Sequence, residues 1–498
     1  MSMAANVVLF ADSGEPDWVA DTKYYSNPVD PNDGDSIAVD TNGNVNVAVS
    51  GSPGFGLQCY NKYAGLRHLN LNNGLTVSGG GVFSPDGTFV TFPDGSVKIF
   101  YTAQFDDPGG INYWQVFNVF DVDLSTGSLT SFAYGRDSGI SYADGGYTTM
   151  TSGAGDSSGN FYGCGFTRRS GNNEFPYLVK YNSAGTVQWT LVLQPQVQQF
   201  TGAGVDTANY GSGASVSADS SGNTYVSLRH TTNSAIPTFT DKLMKFNSSG
   251  TQQWVTITDV LRNGVSDGTY LYSVDNPTSS TIRVVATDVS DGSIAWERTL
   301  TGSGLSIATR NVLVSGSYVY IASQVTDSGA GISGDLGMTW VKMSTSGSFV
   351  WDRHIYAAGS VPVTTYFNSC GPSTIANEKM YSVFKGLGGV TTIKLPLDGS
   401  KTGTLSTLPY LTFGGAEPFS YTQYTTDIKV KSWGLSESTT STATSTSSTY
   451  GTTTTTLTTA DVDVLSLGTT YNASQIASIL APDNEYNPVA TYSKRQLL

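Results

Sequence analysis

The residues best suited to chemistry are one serine motif and three histidines, and they do not combine into a catalytic set. Gly155-Asp-Ser157-Ser-Gly159 fits the Gly-x-Ser-x-Gly pattern of a nucleophile elbow. An elbow joins a strand to a helix, whereas a strand-like stretch follows here, so we interpret Ser157 as a turn residue. The histidines lie far apart, and none has the context of a Ser-His-Asp triad. They are His68, His230 and His354.

Ligands for a metal ion are also sparse. The sequence contains no Cys-x-x-Cys, His-x3-His or His-Glu-x-x-His pattern, which removes the usual zinc sites. The stretch 30–35 is rich in oxygen ligands, but it departs from the EF-hand spacing and lacks the closing glutamate, so we interpret it as a solvated turn. Cys59, Cys164 and Cys370 are far apart and odd in number, and we expect buried free thiols. The sequence thus predicts no catalytic residue, no metal and no cofactor.

The composition narrows the class of partner. Of the 498 residues 13% are charged, and Asp+Glu 39 against Lys+Arg 25 gives a net charge of −14. Nucleic-acid phosphates require a basic face, so nucleic acid is excluded as a partner. No run of 18 or more apolar residues occurs, and we therefore expect no membrane insertion. The N-terminus lacks the basic and apolar regions of a signal peptide, so we expect a chain that is made in a cytoplasm or already processed.

A short aspartate motif recurs along the chain and defines the elements that must position any site. Asp156-Ser-Ser-Gly-Asn-Phe-Tyr recurs as Asp219-Ser-Ser-Gly-Asn-Thr-Tyr and, more loosely, from Asp40. Alternating apolar and polar residues stand on both sides of each copy. This pattern predicts two strands joined by a tight turn.

A second motif places a glycine five residues and a tryptophan nine residues after a lysine. Full copies begin at Lys180, Lys245 and Lys342, and partial copies lie near Trp296 and Lys394. Because each tryptophan holds a fixed place in its repeat, we expect these side chains to be packing elements rather than platforms for sugars. They are Trp189, Trp254, Trp296 and Trp351.

Joined together, the two motifs give four strands in succession, which form one propeller blade. The sequence therefore predicts an all-β protein, a β-propeller of seven four-stranded blades with an extended C-terminal arm, although degenerate blades leave six or eight open. The blades begin near residues 36, 80, 147, 210, 264, 305 and 365. The stretch Val7–Phe10 could add a strand to the last blade. The predicted domains are an N-terminal segment 1–35, a propeller 36–415, a Ser/Thr-rich linker 416–459 and a docking arm 460–498 with a strand at 460–467 and a helix at 473–480.

The aspartate motif followed by the Lys-Gly-Trp motif resembles the repeats of bacterial β-propellers. It is similar to the seven-bladed propeller repeat and, more distantly, to the tryptophan-docking repeat of quinoprotein-like propellers. The resemblance covers about three quarters of the chain and is sharpest in the third, fourth and sixth blades. It implies a fold and no particular reaction, because propellers host many functions. The calcium-binding acids and the adjacent cysteines of the quinoproteins have no counterpart in this sequence.

The long loops between the second and third strands of several blades are the candidate binding surface. Equivalent loops of a propeller emerge on the same side of the ring, and these loops mix Asn, Asp, Arg and aromatic residues. Such residues suit a hydroxyl-rich ligand or a protein partner, although variable loops without a function are the alternative. The candidates are Tyr113, Arg168, Arg169, Asn172, Phe175, His230, Phe239 and Asp335.

The tract 438–459 has 18 Ser or Thr among its 22 residues, and an apolar stretch follows it. A tract of this kind cannot form a core of its own, so we expect a linker, a stalk or a strand borrowed by a neighbour. With the missing signal peptide and the absence of catalytic clusters, it favours a non-enzymatic structural protein of a bacteriophage tail or virion surface. The expected partners are further copies of the chain in a larger assembly, other virion subunits held through the C-terminal arm, and a host glycan.

Two alternatives remain open from the sequence. The Ser/Thr tract also suits a bacterial cell-surface or exported propeller that binds a partner outside the cell. An enzyme, either a glycosidase or a quinoprotein-like dehydrogenase, is the third hypothesis. A glycosidase needs two carboxylates about 5–9.5 Å apart, and no feature of this sequence selects such a pair.

Overall fold

The fold is built from strands and tight turns. In the computed structural model, no helix occurs among the described residues. Residues rich in Thr, Tyr, Val and Phe favour extended backbone, and glycines with positive φ close the turns, such as Gly159 at φ 76° and Gly222 at φ 75°. The described residues are 18–24, 36–40, 42–51, 54–60, 66–72, 82–83, 88–106, 113–123, 128–137, 147–168, 174–194, 215–231, 239–258, 264–302, 305–327, 336–358, 369–386, 389–404, 410–413, 419–422, 427–432, 434–440, 443, 445–447, 451–454, 457–458 and 469–472.

Six sheets, named blades 1 to 6, are each formed by strands that follow one another along the chain and pair antiparallel. Blade 1 contains β2 (Ser36–Val39), β3 (Val45–Gly51), β4 (Gly54–Tyr60) and β5 (Leu66–Asn72). Blade 2 contains β6 (Val82–Phe83), β7 (Thr88–Thr91), β8 (Val97–Asp106), β9 (Tyr113–Asp123) and β10 (Ser128–Asp137), with β6 and β7 both paired to β8. Blade 3 contains β11 (Tyr147–Gly155), β12 (Phe161–Arg168), β13 (Glu174–Tyr181) and β14 (Val187–Gln194).

The remaining three of these blades have the same order. Blade 4 contains β15 (Ser215–Ala218), β16 (Thr224–Thr231), β17 (Phe239–Phe246) and β18 (Gln252–Thr258). Blade 5 contains β19 (Val265–Ser266), β20 (Tyr270–Asp275), β21 (Thr281–Asp288) and β22 (Ile294–Thr301). Blade 6 contains β23 (Leu305–Ser315), β24 (Tyr318–Asp327), β25 (Leu336–Ser344) and β26 (Phe349–Ala358).

A seventh sheet, the composite sheet, is assembled from both ends of the chain. Its consecutive strands are β27 (Ser369–Ala376), β28 (Lys379–Gly386) and β29 (Gly389–Pro396), and β1 (Trp18–Tyr24) pairs antiparallel with β29 as the fourth. Beyond β1 lie β31 (Tyr410–Phe413) and β32 (Phe419–Thr422).

The prediction of a β-propeller is confirmed, but the prediction of seven four-stranded blades is corrected to six blades and one composite sheet. Blades 1 and 3 to 6 each have four strands from one stretch of chain, blade 2 has five because β6 and β7 both pair with β8, and the composite sheet has three consecutive strands plus β1. The N-terminal strand that completes it is Trp18–Tyr24, and the predicted Val7–Phe10 lies outside the described residues. The predicted starts agree with the observed first strands, and the largest difference is that between 210 and Ser215.

The innermost strands, one from each sheet, line the axis of a closed ring. Strands β2, β7, β11, β15, β19, β23 and β27 each contact the next in this order, and β27 contacts β2. Apolar side chains fill the space between neighbouring sheets. Tyr162 and Leu178 of blade 3, for example, share one buried cluster with Val226 and Met244 of blade 4. Burial between the sheets therefore holds the ring together.

A belt of six short strands, residues 427–472, surrounds this ring. Each belt strand pairs antiparallel with the outermost strand of one blade, and the belt visits blades 6 to 1 in reverse order. The pairs are β33 (Asp427–Lys431) with β26, β34 (Ser436–Ser438) with β22, β35 (Ser445–Ser447) with β18, β36 (Gly451–Thr454) with β14, β37 (Leu457–Thr458) with β10, and β38 (Thr469–Asn472) with β5. A short strand β30 (Gly403–Thr404) pairs with β33.

The belt includes residues that the sequence analysis assigned to a linker. Backbone hydrogen bonds do not depend on side-chain type, and threonine favours extended backbone, so a Ser/Thr tract without a core of its own can form edge strands. The predicted strand 460–467 and helix 473–480 lie outside the described residues. Docking of this segment to other chains stays a prediction.

Two buried carboxylates fasten the belt to blades 5 and 6. The Asp352 carboxylate accepts hydrogen bonds from Ser432 Oγ at 2.7 Å, from the Gly434 amide at 2.9 Å and from the Leu435 amide at 2.8 Å. Glu297 accepts one from the Ala443 amide at 2.7 Å. Both acids directly follow the repeat tryptophan of their blade, so the fastening has the same place in two repeats.

Candidate functional site

The two ends of the ring differ in the kind of connection between strands that they carry. One end, called the turn end, carries the tight turns between the first and second strands and between the third and fourth strands of each blade. The other end, called the loop end, carries the connections between the second and third strands and between successive blades. The sequence analysis placed its candidate binding residues at the loop end.

At the turn end, the aspartate motif is a closed hydrogen-bond network. Asp156 Oδ1 accepts from the amides of Ser158 and Asn160 at 2.9 and 3.0 Å, and Asp156 Oδ2 accepts from Asn160 Nδ2 and Tyr162 Oη, both at 2.8 Å. Tyr162 Oη lies 3.3 Å from the Gly222 carbonyl oxygen of blade 4. The turn thus stabilises its own blade and links it to the next.

The protonation states fit this structural role. Burial acts to raise the pKa of the Asp156 carboxyl, but the hydrogen bonds from Asn160, Tyr162 and Ser158 outweigh it and lower the pKa. Burial and the neighbouring Asp156 charge raise the pKa of Tyr162 far above its usual range. An ionised acid and a neutral phenol are therefore locked together, with no proton exchange near neutral pH.

The repeat tryptophans also connect blades at the turn end. Trp254 Nε1 donates to the Val289 carbonyl oxygen of blade 5 at 3.0 Å, and Lys245 Nζ donates to the same oxygen at 2.9 Å. The ring of Trp254 lies 6.4 Å from that of Tyr225 and covers Gly292 of the next blade. The interpretation of these tryptophans as packing elements is confirmed.

The serine of the apparent elbow is likewise structural. Ser157 lies in the turn between β11 and β12, and a strand follows it, as the sequence analysis predicted. Its hydroxyl lies 3.5 Å from the Ser220 carbonyl oxygen in the matching turn of blade 4. Cys164 is a buried free thiol, as expected, and burial raises its pKa to about 12, so it is not a reactive thiolate.

At the loop end, the backbone brings five of the eight predicted positions to strand termini. Tyr113 and Phe239 begin the third strands of blades 2 and 4, Arg168 ends the second strand of blade 3, and His230 is the next-to-last residue of β16. Phe175 is half-buried and packs on the apolar cluster between blades 2 and 3, so its ring is committed to the core. Arg169, Asn172 and Asp335 lie outside the described residues.

Buried polar groups support the loop end of blades 5 and 6. Arg283 Nε and Nη2 donate to Asp275 Oδ1 and Oδ2 at 2.9 and 2.6 Å, a bidentate ion pair across β20 and β21. Asn276 reaches blade 6, where its Oδ1 accepts from the Thr309 amide at 2.8 Å. These contacts link the short connection between β20 and β21 to the inner strand of blade 6.

His354 is the one histidine whose side chain the structure describes. It is buried in blade 6, with Nδ1 3.0 Å from Thr339 Oγ1 and the Tyr356 ring stacked at 5.6 Å. Burial, with a smaller contribution from the Lys431 charge, lowers its pKa well below 6.5. A neutral, packed imidazole results.

Stability should therefore fall as the pH falls below about 6.5. The unfolded chain binds a proton at His354 near pH 6.5 and the folded chain does not, so protonation stabilises the unfolded state. The expected loss is about 1.4 kcal/mol per pH unit until the lowered pKa is reached. Urea unfolding at about pH 7.5, 6 and 5 measures it. His354→Gln should flatten this dependence while the other histidines remain, and an unchanged slope would contradict the assignment.

Arg310 is a candidate that the sequence analysis missed. It is an exposed residue in the innermost strand of blade 6, at an irregularity of the strand pairing. Its Nε and Nη2 both donate to Gln324 Oε1. A bulge leaves no mark in a single sequence, although aligning the blades would have shown an arginine opposite Thr151 and Gly371.

Neither a metal centre nor a membrane helix is found in the part of the chain that the structure describes. No group of three or more His, Cys, Asp or Glu residues among these positions could hold a metal ion. No helix among them is long and apolar enough to cross a membrane. The acidic stretch 30–35 lies outside them.

Comparison with known proteins finds similar folds but no family. No protein-family model matches the chain, and no curated protein does. The polysaccharide lyase Uly1 has 10% identity and a TM-score of 0.36 over 76% of this chain and 92% of its own. The β-propeller domain of the Trilobed protease from Pyrococcus furiosus has 10% identity and a TM-score of 0.36 over 76% and 95%. The GH43 endo-arabinanase from Bacillus licheniformis has 11% identity and a TM-score of 0.25 over 56% and 98%.

These comparisons correct one expectation. The lyase and the arabinanase, both enzymes, are among the similar folds, and we withdraw the prediction of a protein without catalytic activity. No substrate and no residue role is carried over at this level of similarity. Because no family model and no curated protein matches the chain, these comparisons give no support to a bacteriophage origin.

Proposed function

We propose that the protein is a recognition propeller that binds a hydroxyl-rich ligand, a glycan, at its loop end. The observation that carries the proposal is the difference between the two ends of the ring in side-chain contacts and in the length of their connections. The turn end uses its polar and aromatic side chains in contacts within and between blades, as Asp156, Tyr162 and Trp254 illustrate. The longer connections are all gathered at the loop end.

The residue types at the loop end suit a glycan. Arg168 and His230 stand at the loop ends of the second strands of the adjacent blades 3 and 4. Tyr113 and Phe239 add aromatic residues at the same end. Planar rings and multidentate donors are the groups that bind the faces and hydroxyls of sugars.

Binding to an array of immobilised neutral and acidic glycans tests the proposal. Arg168→Ala combined with His230→Ala should weaken binding at least about tenfold, because each lost polar contact contributes about 1 kcal/mol. Release of reducing ends from the glycans that bind, measured in parallel, shows whether the loop end also performs catalysis.

The matched control is Lys401→Ala, which removes one positive charge next to a turn-end loop. It should leave glycan binding unchanged. The absence of binding by the unaltered protein, or an equal loss in the control and in the loop-end variant, would contradict the proposal.

The virion role and the virion location stay predictions from the sequence. They depend on the composition and on the C-terminal segment, and the fold is equally compatible with a protein of the cell surface. Detection of the chain by mass spectrometry in purified phage particles would support the virion role, and its detection in a cell-envelope fraction without phage would contradict it.

A further inference from the structure

One register position in each sheet, called the rung, joins the second, third and fourth strands close to the turn end. In blade 3 the strand pairing places Tyr162 opposite Lys180, and Lys180 opposite Trp189. Directly opposite residues on antiparallel strands share one face of the sheet, with Cβ atoms about 4.5–5.5 Å apart. The rung therefore brings three residues from three strands together on one face.

Most sheets build the rung from the same large residues. A tyrosine, a lysine and a tryptophan also stand there in blades 4 and 6 and in the composite sheet, where Trp18 of β1 supplies the tryptophan. Blade 5 keeps the tyrosine and the tryptophan, and blade 2 has Lys98 and Asp121, which form an ion pair. In blade 3 the lysine and the tryptophan both donate to the Ser248 carbonyl oxygen of blade 4, at 3.2 and 3.1 Å. With these residues the rung serves the packing of the blades.

Blade 1 has an amide, a thiol and an imidazole at the rung instead. Asn46 of β3 stands opposite Cys59 of β4, and Cys59 stands opposite His68 of β5. The belt strand β38 extends this row, because Asn472 stands opposite His68. Among the belt pairs that the structure describes, no other includes a rung residue of its blade. These four residues, called the blade 1 row, share one face of the sheet.

The amide of Asn46 is buried and has no use in the fold. The residue is fully buried, and neither its Oδ1 nor its Nδ2 has a hydrogen-bond partner. It is the only side chain with two such atoms among the described residues. Buried polar groups without a partner are rare in folded proteins because they cost free energy. An unpartnered amide directly opposite Cys59 therefore points to a further group that binds at this row.

The order of the residues in the row suits nucleophilic catalysis. A thiol, an imidazole and an amide are the groups of a Cys-His-Asn catalytic set. His68 stands between Cys59 and Asn472, which is the order that a nucleophile, its base and the group that orients the base require. The side chains of the row are also smaller than the tyrosine, lysine and tryptophan that they replace. The packing role of the other rungs therefore does not account for them.

We infer that the blade 1 row is an acyl-transfer site, in which the Cys59 thiol is the nucleophile and His68 is its general base. Asn472 is the positioning residue for the imidazole, and Asn46 Nδ2 donates to the oxyanion of the tetrahedral intermediate. The substrate class is an ester or a thioester. The inference does not rest on the proposed function, because the row lies near the turn end of blade 1 and the glycan site lies at the loop end.

The reaction needs no group besides the row, the substrate and water. His68 takes the proton of the Cys59 thiol, and the sulfur forms a bond with the acyl carbon. The C–O bond of the ester breaks, and the alcohol leaves with the proton that the imidazole holds. Water then attacks the thioester and gives a proton to the imidazole, the C–S bond breaks, and the acid and the thiol are released.

Incubation of the full chain with p-nitrophenyl acetate near pH 7 tests the inference. Mass spectrometry should find one acetyl group per chain, on the peptide that contains Cys59, and p-nitrophenolate should appear in a burst of about one equivalent. Cys59→Ala should abolish both signals. His68→Ala should slow the acetylation at least about a hundredfold, because a general base contributes about 10²–10⁴-fold to the rate. Added imidazole should restore part of the rate in His68→Ala, which a merely structural role of His68 would not allow.

The conservative change at Asn472 tests its positioning role. Asn472→Asp keeps an acceptor for the imidazole N–H and should retain the acetylation rate within about threefold, whereas Asn472→Ala should lose at least about tenfold. Thermal unfolding of each variant verifies that it is folded.

The matched control is Cys370→Ala, since Cys370 also lies in a strand but has Phe384 as its register partner. It should be acetylated like the unaltered protein. Absence of acetylation at Cys59 in the unaltered protein, an unchanged rate in His68→Ala, or an equal loss in Cys370→Ala overturns the inference. Glycan binding at the loop end should be the same in Cys59→Ala, so this inference and the proposed function fail separately.

Discussion

A chain that ends at residue 426 is expected to unfold at a lower temperature than the full chain and to self-associate more strongly. Removal of the belt leaves the outermost strands of blades 1 to 6 without their edge partners. Unpaired strand edges are templates for pairing with another chain. Calorimetric unfolding and light scattering after size exclusion measure the two effects.

The direction of the association effect separates two roles of the C-terminal segment. The structure places the belt on the blades of its own chain, so its loss should expose edges and increase association. A docking arm, as the sequence analysis expected, would instead lose its multimers on truncation. A truncated chain that is less multimeric than the full chain, or one of unchanged stability, would contradict the stabilising role.

A single residue tests the same role without truncation. Asp352→Ala should lower the free energy of unfolding by about 3 kcal/mol, because hydrogen bonds to a charged group contribute about 1.5–3 kcal/mol each and the Gly434 and Leu435 amides both lose their acceptor. Chemical denaturation measures the change. The matched control is Glu437→Gln, also in the belt, whose carboxylate is partly exposed and lies 3.4 Å from Arg298. Its expected effect is within about 1 kcal/mol of zero.

The blades were predictable because each of them needs the same residue type at the same structural position. The glycine of the Lys-Gly-Trp motif has to accept a positive φ beneath the tryptophan of the preceding blade, so its spacing is fixed. The aspartate motif is weaker in the sequence of the first two blades because one of its buried residues differs there. The buried tyrosine of the aspartate motif is replaced by Asn46 in blade 1 and by Lys98 in blade 2.

The belt and the bulge at Arg310 were not predictable from the same patterns. Belt strands pair through their backbones, which leaves only a composition that also fits a linker. The contacts that hold the belt to the blades did leave a signal in the sequence. An acidic residue follows the tryptophan in Trp296-Glu297-Arg298 and in Trp351-Asp352-Arg353. Arg310 could be recognised only after pairing showed that it is an extra residue in its strand.

The junction between blade 6 and the composite sheet should be sensitive to the addition of a single methyl group. Gly399 has φ 73°, and a Cβ there would lie 2.7 Å from Cε2 and 2.9 Å from both Cδ2 and Nε1 of Trp351. Gly399→Ala should therefore lower the free energy of unfolding by about 2–5 kcal/mol, the sum of left-handed backbone strain and overpacking. Chemical denaturation measures the change.

Gly268→Ala is the control that separates these two causes. Gly268 also has a positive φ, at 91°, but a Cβ there would meet nothing within 4 Å. It should lose only the backbone contribution of about 1–2 kcal/mol. Equal losses at the two positions would show that Trp351 does not press on Gly399.

A double-mutant cycle then measures the docking itself. Trp351→Ala alone should lower the free energy of unfolding by about 3–5 kcal/mol, since the indole is lost from its contact with Tyr320, 6.3 Å away between ring centroids. In the Trp351→Ala background the new Cβ at position 399 enters the space that the indole has left, so only the backbone strain remains. The double variant should therefore be about 1–3 kcal/mol more stable than the sum of the single losses predicts. Additive losses would mean that the repeat tryptophan packs within its own blade and does not hold the next sheet in place.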